Sequence, residues 1–344
     1  STLMNMTYLS YNQSYLFKLT ALWAFVEVAL GGMLHALRVP LTGVVVGGTA
    51  VAIISLMGRY SPKPFKDIMA ATGLVLLVKA GASPHSPLPA YLAVGFQGLL
   101  GAWVFQFLKY SRITVVLFSL IAMLESGFQK LILLTVLYGK SLWDSFDVFF
   151  ESVLKSFHMQ SETSGSSWLV GLYIGVYFFW GLYLGVRLFS FDQRAENYVS
   201  QWKESEGVAL NAVESTFWRV SRNRNLFWLV YLFVLIMMSL VLIILGDNKY
   251  DLFYVVFRSM SAIFLVFWVV NPLFTYWVKR KSSSISLQSQ IQEISDQFAF
   301  LQQDYFKALQ IIQGKTWHPF RYFKAMEMLI SIHIFRENAS KHES

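Results

Sequence analysis

The sequence predicts an all-α, polytopic membrane protein with about eight transmembrane helices. Three observations carry that expectation. Mean hydropathy is +0.48. Of the 344 residues 55% are hydrophobic and only 14% charged, whereas a soluble domain carries about 25% charged residues. Apolar runs of about 20 residues recur along the chain, the length a helix needs to cross a bilayer. Alternating segments of the kind that build transmembrane barrels do not.

The first span covers 17–37, within the stretch Phe17 to Gly43. It carries Glu27 at its midpoint, Gly31 and Gly32, and then His35 and Arg38. At helical spacing Glu27, Gly31, Leu34, His35 and Arg38 share one face. A carboxylate at membrane depth costs about 3 kcal/mol on insertion scales, so that face should meet protein or a water-filled cavity rather than lipid. The polar, aromatic segment before it lacks a basic n-region and a small-residue cleavage site. The first span is therefore expected to act as its own insertion signal.

Further spans are expected at 42–57, 68–80, 88–108, 113–138, 167–190, 226–246 and 252–278. The loops between them alternate in charge. Arg59, Lys63 and Lys66, then Lys109 and Arg112, then Arg194 to Arg224, then Lys279 to Lys281 fall on one side, and neutral or acidic loops on the other. By the positive-inside rule both termini lie in the cytoplasm, and an even number of spans follows. The net charge of +8 is thus read as basic cytoplasmic loops, not as a nucleic-acid surface.

Among the outer loops, the proline-rich 81–89 segment is stiff enough to border a binding site. The outer loop 139–166 contains an amphipathic stretch at 141–158, with Trp143, Phe146, Phe150, Val153, Leu154 and Phe157 on one helical face. Such a helix lies at the membrane interface, packed on the surface or acting as a lid. The sixth span repeats itself as GLYIGV at 171–176 and GLYLGV at 181–186. Glycines four apart let helices approach closely, either within the bundle or against another subunit.

Beyond Phe191 the composition becomes charged and amphipathic up to Asn225. After the last span Leu287, Ile291, Ile294, Phe298, Leu301, Tyr305, Ala308 and Ile312 form a heptad seam. It should pair with another helix of this chain or with a coiled-coil partner of 287–312. Gly314 and Pro319 end the seam, and the basic, aromatic segment through Phe320, Phe323 and Met326 is expected to rest on the anionic inner leaflet. The chain thus divides into a membrane domain over 1–190, a linker with two spans over 191–281, and a cytoplasmic tail over 282–344.

No enzyme motif is present: there is no phosphate-binding glycine loop with its lysine, no HExxH, no GxSxG and no DDxxD. The absence of cysteine removes disulfides, thiol catalysis and cysteine metal sites. His35 and His85 are the two histidines placed near one mouth, short of the three or four donors a metal needs. Neither a metal nor a cofactor is expected. The informative residues are polar groups inside spans: Glu27 in the first, Lys79 in the third, Gln97 in the fourth, and Glu125 with Gln129 one turn later in the fifth. Together with His35, Arg38 and His85 they form the candidate substrate site, in which the glutamates hold a cationic part of a solute and Arg38 and Lys79 an anionic part. The competing reading is that a glutamate merely neutralises Lys79 or Lys130 in a structural pair.

The first six spans resemble the substrate-binding S component of energy-coupling factor transporters. The likeness rests on residues 16–190: an N-in, C-in six-helix unit, the run Val39-Pro40-Leu41-Thr42-Gly43 leading to Gly47-Gly48, and the proline loop leading into AYLAVGFQGLLGAWVF at 90–105. The resemblance implies a six-helix bundle that captures a vitamin-like or other micronutrient from outside. It also implies location in the bacterial plasma (inner) membrane, and partners comprising a transmembrane coupling subunit and two ATPases. The extension from about 191 goes beyond a minimal S component. A non-transporting membrane scaffold that recruits a partner through its cytoplasmic helices is the alternative.

Overall fold

The computed structural model describes residues 15–30, 42–82, 86, 88–156, 164–205, 285–312 and 318–341, together with positions 261, 264, 269, 273 and 276. Of these, 94% are helical and none lies in a strand. We number the helices α1 over 15–25, continuing as a π-helix at Val26–Leu30, α2 Thr42–Tyr60, α3 Pro64–Ala82, α4 Leu88–Phe107, α5 Arg112–Tyr138, α6 Lys140–Ser156, α7 Gly165–Phe189, α8 Phe191–Glu204, α9 Ile285–Asp296, α10 Phe298–Ile312 and α11 His318–Lys341.

Among the described residues four helices are long and apolar enough to cross a membrane: Gly43–Tyr60 of α2, and α4, α5 and α7. They coincide with four of the expected spans. The expected third span falls on α3, which carries Lys66, Asp67 and Lys79. The first is described only as far as Leu30, and 226–246 and nearly all of 252–278 lie outside the described residues.

Of these four membrane-length helices, α4, α5 and α7 turn apolar side chains outward, while α2 is largely buried. On α4 Leu92, Phe96, Leu99, Trp103 and Phe107 form one exposed stripe, while Tyr91, Val94, Gln97, Gly98, Gly101, Ala102 and Phe105 are buried. On α5 the exposed Ile113, Leu117, Ile121, Phe128, Ile132 and Val136 oppose a buried face that includes Thr114, Ser119 and Met123. A helix with its large hydrophobic residues outward and its polar ones inward is arranged for lipid, the reverse of a water-soluble helix.

The chain divides into two units by its internal contacts. One comprises Ser1–Gln129, Tyr173–Ala209 and Leu273–Ser344; the other comprises Lys130–Leu172 and Leu210–Pro272. In the first unit α1 is central, with Leu19 to Val26 buried on every side. Its one ionisable side chain in the π-turn, Glu27, then requires a partner. Small residues allow close contacts around it: a Cβ on Gly101 of α4 would lie 2.3 Å from the Ile54 side chain, and one on Gly98 would meet Thr72 at 2.1 Å. Five buried hydroxyls are satisfied without leaving their helices: Thr20, Thr49, Ser55, Thr72 and Ser331 each donate to the carbonyl four residues earlier.

The C-terminal helices belong to this first unit. The seam residues Ile294, Leu301, Tyr305, Ala308 and Ile312 are buried within the chain, α10 packs on α11, and Phe298 meets Phe25 of α1 edge-on at 5.9 Å. The segment expected to rest on the inner leaflet is buried instead. Tyr322, Phe323, Ala325, Met326 and Met328 to Ile332 of α11 are covered, and Trp180 of α7 meets Phe320 at a tilt and Phe323 edge-on. The physical reason is that 325–334 carries apolar residues all around the helix apart from Glu327, Ser331 and His333, and such a helix is stable only when surrounded.

In the second unit α6 is amphipathic with no fully buried residue. Gly139, at φ 72°, gives the left-handed residue that ends α5 and lets α6 leave at an angle. Asp147 accepts bonds from the Ser166 backbone N–H and hydroxyl at 2.6 and 3.1 Å, and Trp143 Nε1 donates to Thr135 at 3.1 Å. On the apolar face Trp143, Phe146, Phe150 and Leu154 are half-buried, while Val148 and Phe149 off that face are exposed.

Candidate functional site

The polar residues expected to line a site fall into two sets around the start of α4. In the first, Lys79 near the end of α3 donates from Nζ to Glu27 Oε2 at 2.8 Å, with the two side chains only 5% and 8% exposed. Lys79 also reaches the Ala90 carbonyl at 3.4 Å and lies 5.8 Å from the Tyr91 ring centroid. The π-turn adds a residue to the helical repeat at Glu27, a device that re-aims side chains locally. These two charges thus neutralise each other.

In the second set, Gln97 of α4 donates from Nε2 to Ser126 Oγ on α5 at 3.1 Å, and Ser126 donates to the Ala122 carbonyl at 3.1 Å. Gln129 donates from Nε2 to the Pro89 carbonyl at 3.0 Å. A Cβ on Gly47 of α2 would lie 3.7 Å from Gln97 Nε2 and 4.0 Å from the Met123 sulfur, so α2, α4 and α5 meet around Gln97. Glu125 stands one turn before Gln129 on the same helical face. Its Oε2 is buried and accepts no hydrogen bond from any described residue. Lys79 and Gln129 grip the consecutive carbonyls of Ala90 and Pro89, which joins the two sets through the first turn of α4.

The structure therefore brings Glu27, Lys79, Gln97, Glu125 and Gln129 into one unit, about the contacts of α1 to α5. His35, Arg38 and His85 lie outside the described residues. Ser126 joins the site although the sequence reading passed over it; its place next to Glu125 was the available signal. Lys130, read as turned away, is exposed.

A separate polar knot at the C-terminal ends of α2 and α7 was not foreseen. Glu327 of α11, 4% exposed, accepts from Arg187 Nε at 3.0 Å and Nη2 at 2.6 Å, from Arg194 Nε at 2.8 Å and from the Tyr198 hydroxyl at 3.3 Å. Burial and the Glu327 carboxylate push the Tyr198 hydroxyl up to about 12. Nearby, Arg59 pairs with Asp192, which also accepts from Tyr60 at 3.2 Å. Helix α8 is thereby tied to α2 through Asp192 and to α11 through Arg194 and Tyr198. No local pattern points to this knot, because Glu327 lies 140 residues from Arg187.

Among the described residues no three His, Asp or Glu side chains gather as a metal site requires. Comparison with protein-family models, curated proteins and solved structures finds no match.

Proposed function

We propose that this chain is the solute-binding subunit of a membrane uptake system, taking up a small micronutrient and energised by separate partner subunits. One observation carries the reading: a buried carboxylate oxygen, Glu125 Oε2, that no described residue satisfies, flanked by Gln97 and Gln129 on membrane-length helices. A protein spends stability to hold an unmatched carboxyl group at such a depth, and the common return is a ligand or ion path. The likeness of 16–190 to S components supports the same reading. On this reading the protein sits in a bacterial inner membrane with both termini inside, and ATP hydrolysis and coupling fall to partners.

The test is mass spectrometry of small molecules that copurify with the detergent-extracted protein. A solute retained by the native chain and lost from Gln97→Ala supports the reading; no solute above the level of an unrelated membrane protein refutes it. The scaffold alternative is weakened because the seam over 294–312 is occupied inside the chain, so a partner would need another face.

A further inference from the structure

We infer that the turns joining α2 to α3 and α4 to α5 together form a contact for the phosphate groups of anionic phospholipids, with Lys63, Lys66, Lys109 and Arg112 as its cations. All four side chains are exposed, and among the described residues none of them is in an ion pair. The two turns are held side by side. The Phe65 backbone N–H donates to Gln106 Oε1 at 3.3 Å, and the Arg59 guanidinium at the end of α2 lies 5.5 Å from the Tyr110 ring centroid. Arg59 itself is paired with Asp192. The stretches 61–67 and 106–113 contain one carboxylate, Asp67, which accepts from the Ser61 hydroxyl at 2.5 Å. Four cations against that one carboxylate leave the patch positive.

The surroundings of these charges favour a lipid over an acidic protein. The cations alternate with exposed apolar side chains, Phe65, Phe107, Leu108 and Ile113, and the last three continue the outward apolar stripes of α4 and α5. Trp103 stands one turn before Phe107 with ring centroids 5.0 Å apart, and an outward Trp at the end of such a stripe marks the headgroup level. Lipid that covers the stripes brings its phosphates to the cations. An acidic protein would first have to displace that lipid. The charges are also kept where the backbone opposes them. Lys66 lies in the first turn of α3 and Arg112 opens α5, positions at which the helix dipole disfavours a cation and a neighbouring anion offsets the cost. Lys109 has φ 52°, a left-handed conformation that favours glycine. The stretch expected from sequence to rest on the anionic leaflet is enclosed in α11, and these turns offer the basic, apolar surface that it does not.

The test is native mass spectrometry of the detergent-purified full chain offered equal amounts of phosphatidylglycerol and phosphatidylcholine with the same acyl chains. Thermal melting in lipid-free detergent checks folding. Phosphatidylglycerol should be retained about tenfold or more over phosphatidylcholine. Lys63→Gln/Lys66→Gln and Lys109→Gln/Arg112→Gln should each cut that preference about fivefold or more, the factor expected of one basic side chain at an anionic surface. Neither should lower the melting temperature, since neither removes a bond within the chain. Lys130→Gln, which removes an exposed cation elsewhere on α5, should leave the preference unchanged. Equal retention of the two lipids, or a preference that survives either double variant, overturns the proposal. An equal loss from Lys130→Gln also overturns it, since net charge alone would then be the cause. Displacement of phosphatidylglycerol by millimolar inorganic phosphate would make the patch a free-anion site. Binding of polyglutamate without any lipid preference would make it a protein-facing one; either result overturns the lipid assignment. Should one double variant fail to fold, the other decides by the same comparison.

Discussion

The two halves of the glycine echo in α7 are alike in sequence and should respond oppositely to alanine. A Cβ on Gly185 would lie 2.5 Å from the Cα of Val116 and one on Gly181 3.0 Å from the Cα of Leu120, while Gly171 and Gly175 have nothing within 4 Å. Ordinary contacts of this kind begin at 3.4 Å, so Gly185→Ala must push α7 and α5 apart by about 1 Å. The neighbour is backbone and cannot rotate away, which puts the overpacking penalty near the upper end of its range, about 3 kcal/mol. Replacing glycine in a helix returns about 1 kcal/mol, leaving a net loss of about 2 kcal/mol. Gly171→Ala and Gly175→Ala keep the propensity gain without the clash and should be neutral or up to about 1 kcal/mol more stable. The spread between the copies, about 3 kcal/mol, exceeds a hundredfold in the unfolding equilibrium. Unfolding by sodium dodecyl sulfate of the detergent-solubilised protein, followed by circular dichroism, resolves such a difference. Equal losses at Gly175 and Gly185 would refute the reasoning and show that the first pair is also a packed contact.

Glu327→Ala should cost about 3 kcal/mol or more in the same assay, because it leaves two arginines facing one another in a largely covered site. Glu27→Gln should be similarly destabilising by stranding Lys79, and the double variant Glu27→Gln/Lys79→Gln should recover most of the loss, the mark of a pair whose breaking costs more than its absence. Tyr198 holds its proton to about pH 12 in the folded chain against 10.0 as its ordinary value. Its contribution to stability is therefore complete below pH 10 and is lost as pH rises through 12, since the unfolded chain releases the proton first. Comparing the alkaline unfolding of wild type and Tyr198→Phe over pH 9 to 12.5 should show a shallower decline for the variant.

The sequence alone determined that the chain is helical and carries helices long and apolar enough to cross a membrane, and placed α2, α4, α5, α6 and α7 within a few residues. Length and hydropathy of a span are local properties, and Pro40, Gly139 and the charged loops mark where spans stop. Local reasoning also found Glu27, Lys79, Gln97, Glu125 and Gln129, because a polar side chain in an apolar run needs no neighbour to be noticed. Which of these pair with one another is a question about side chains tens of residues apart. Only the tertiary structure decided that Glu27 spends its charge on Lys79 while Glu125 has no described partner, and that the two glycine pairs, identical in spacing, meet a helix backbone in one case and open space in the other. It likewise decided that 320–334 is enclosed, since an apolar segment with basic flanks fits a leaflet or a protein interior equally well until the surrounding helices are in place.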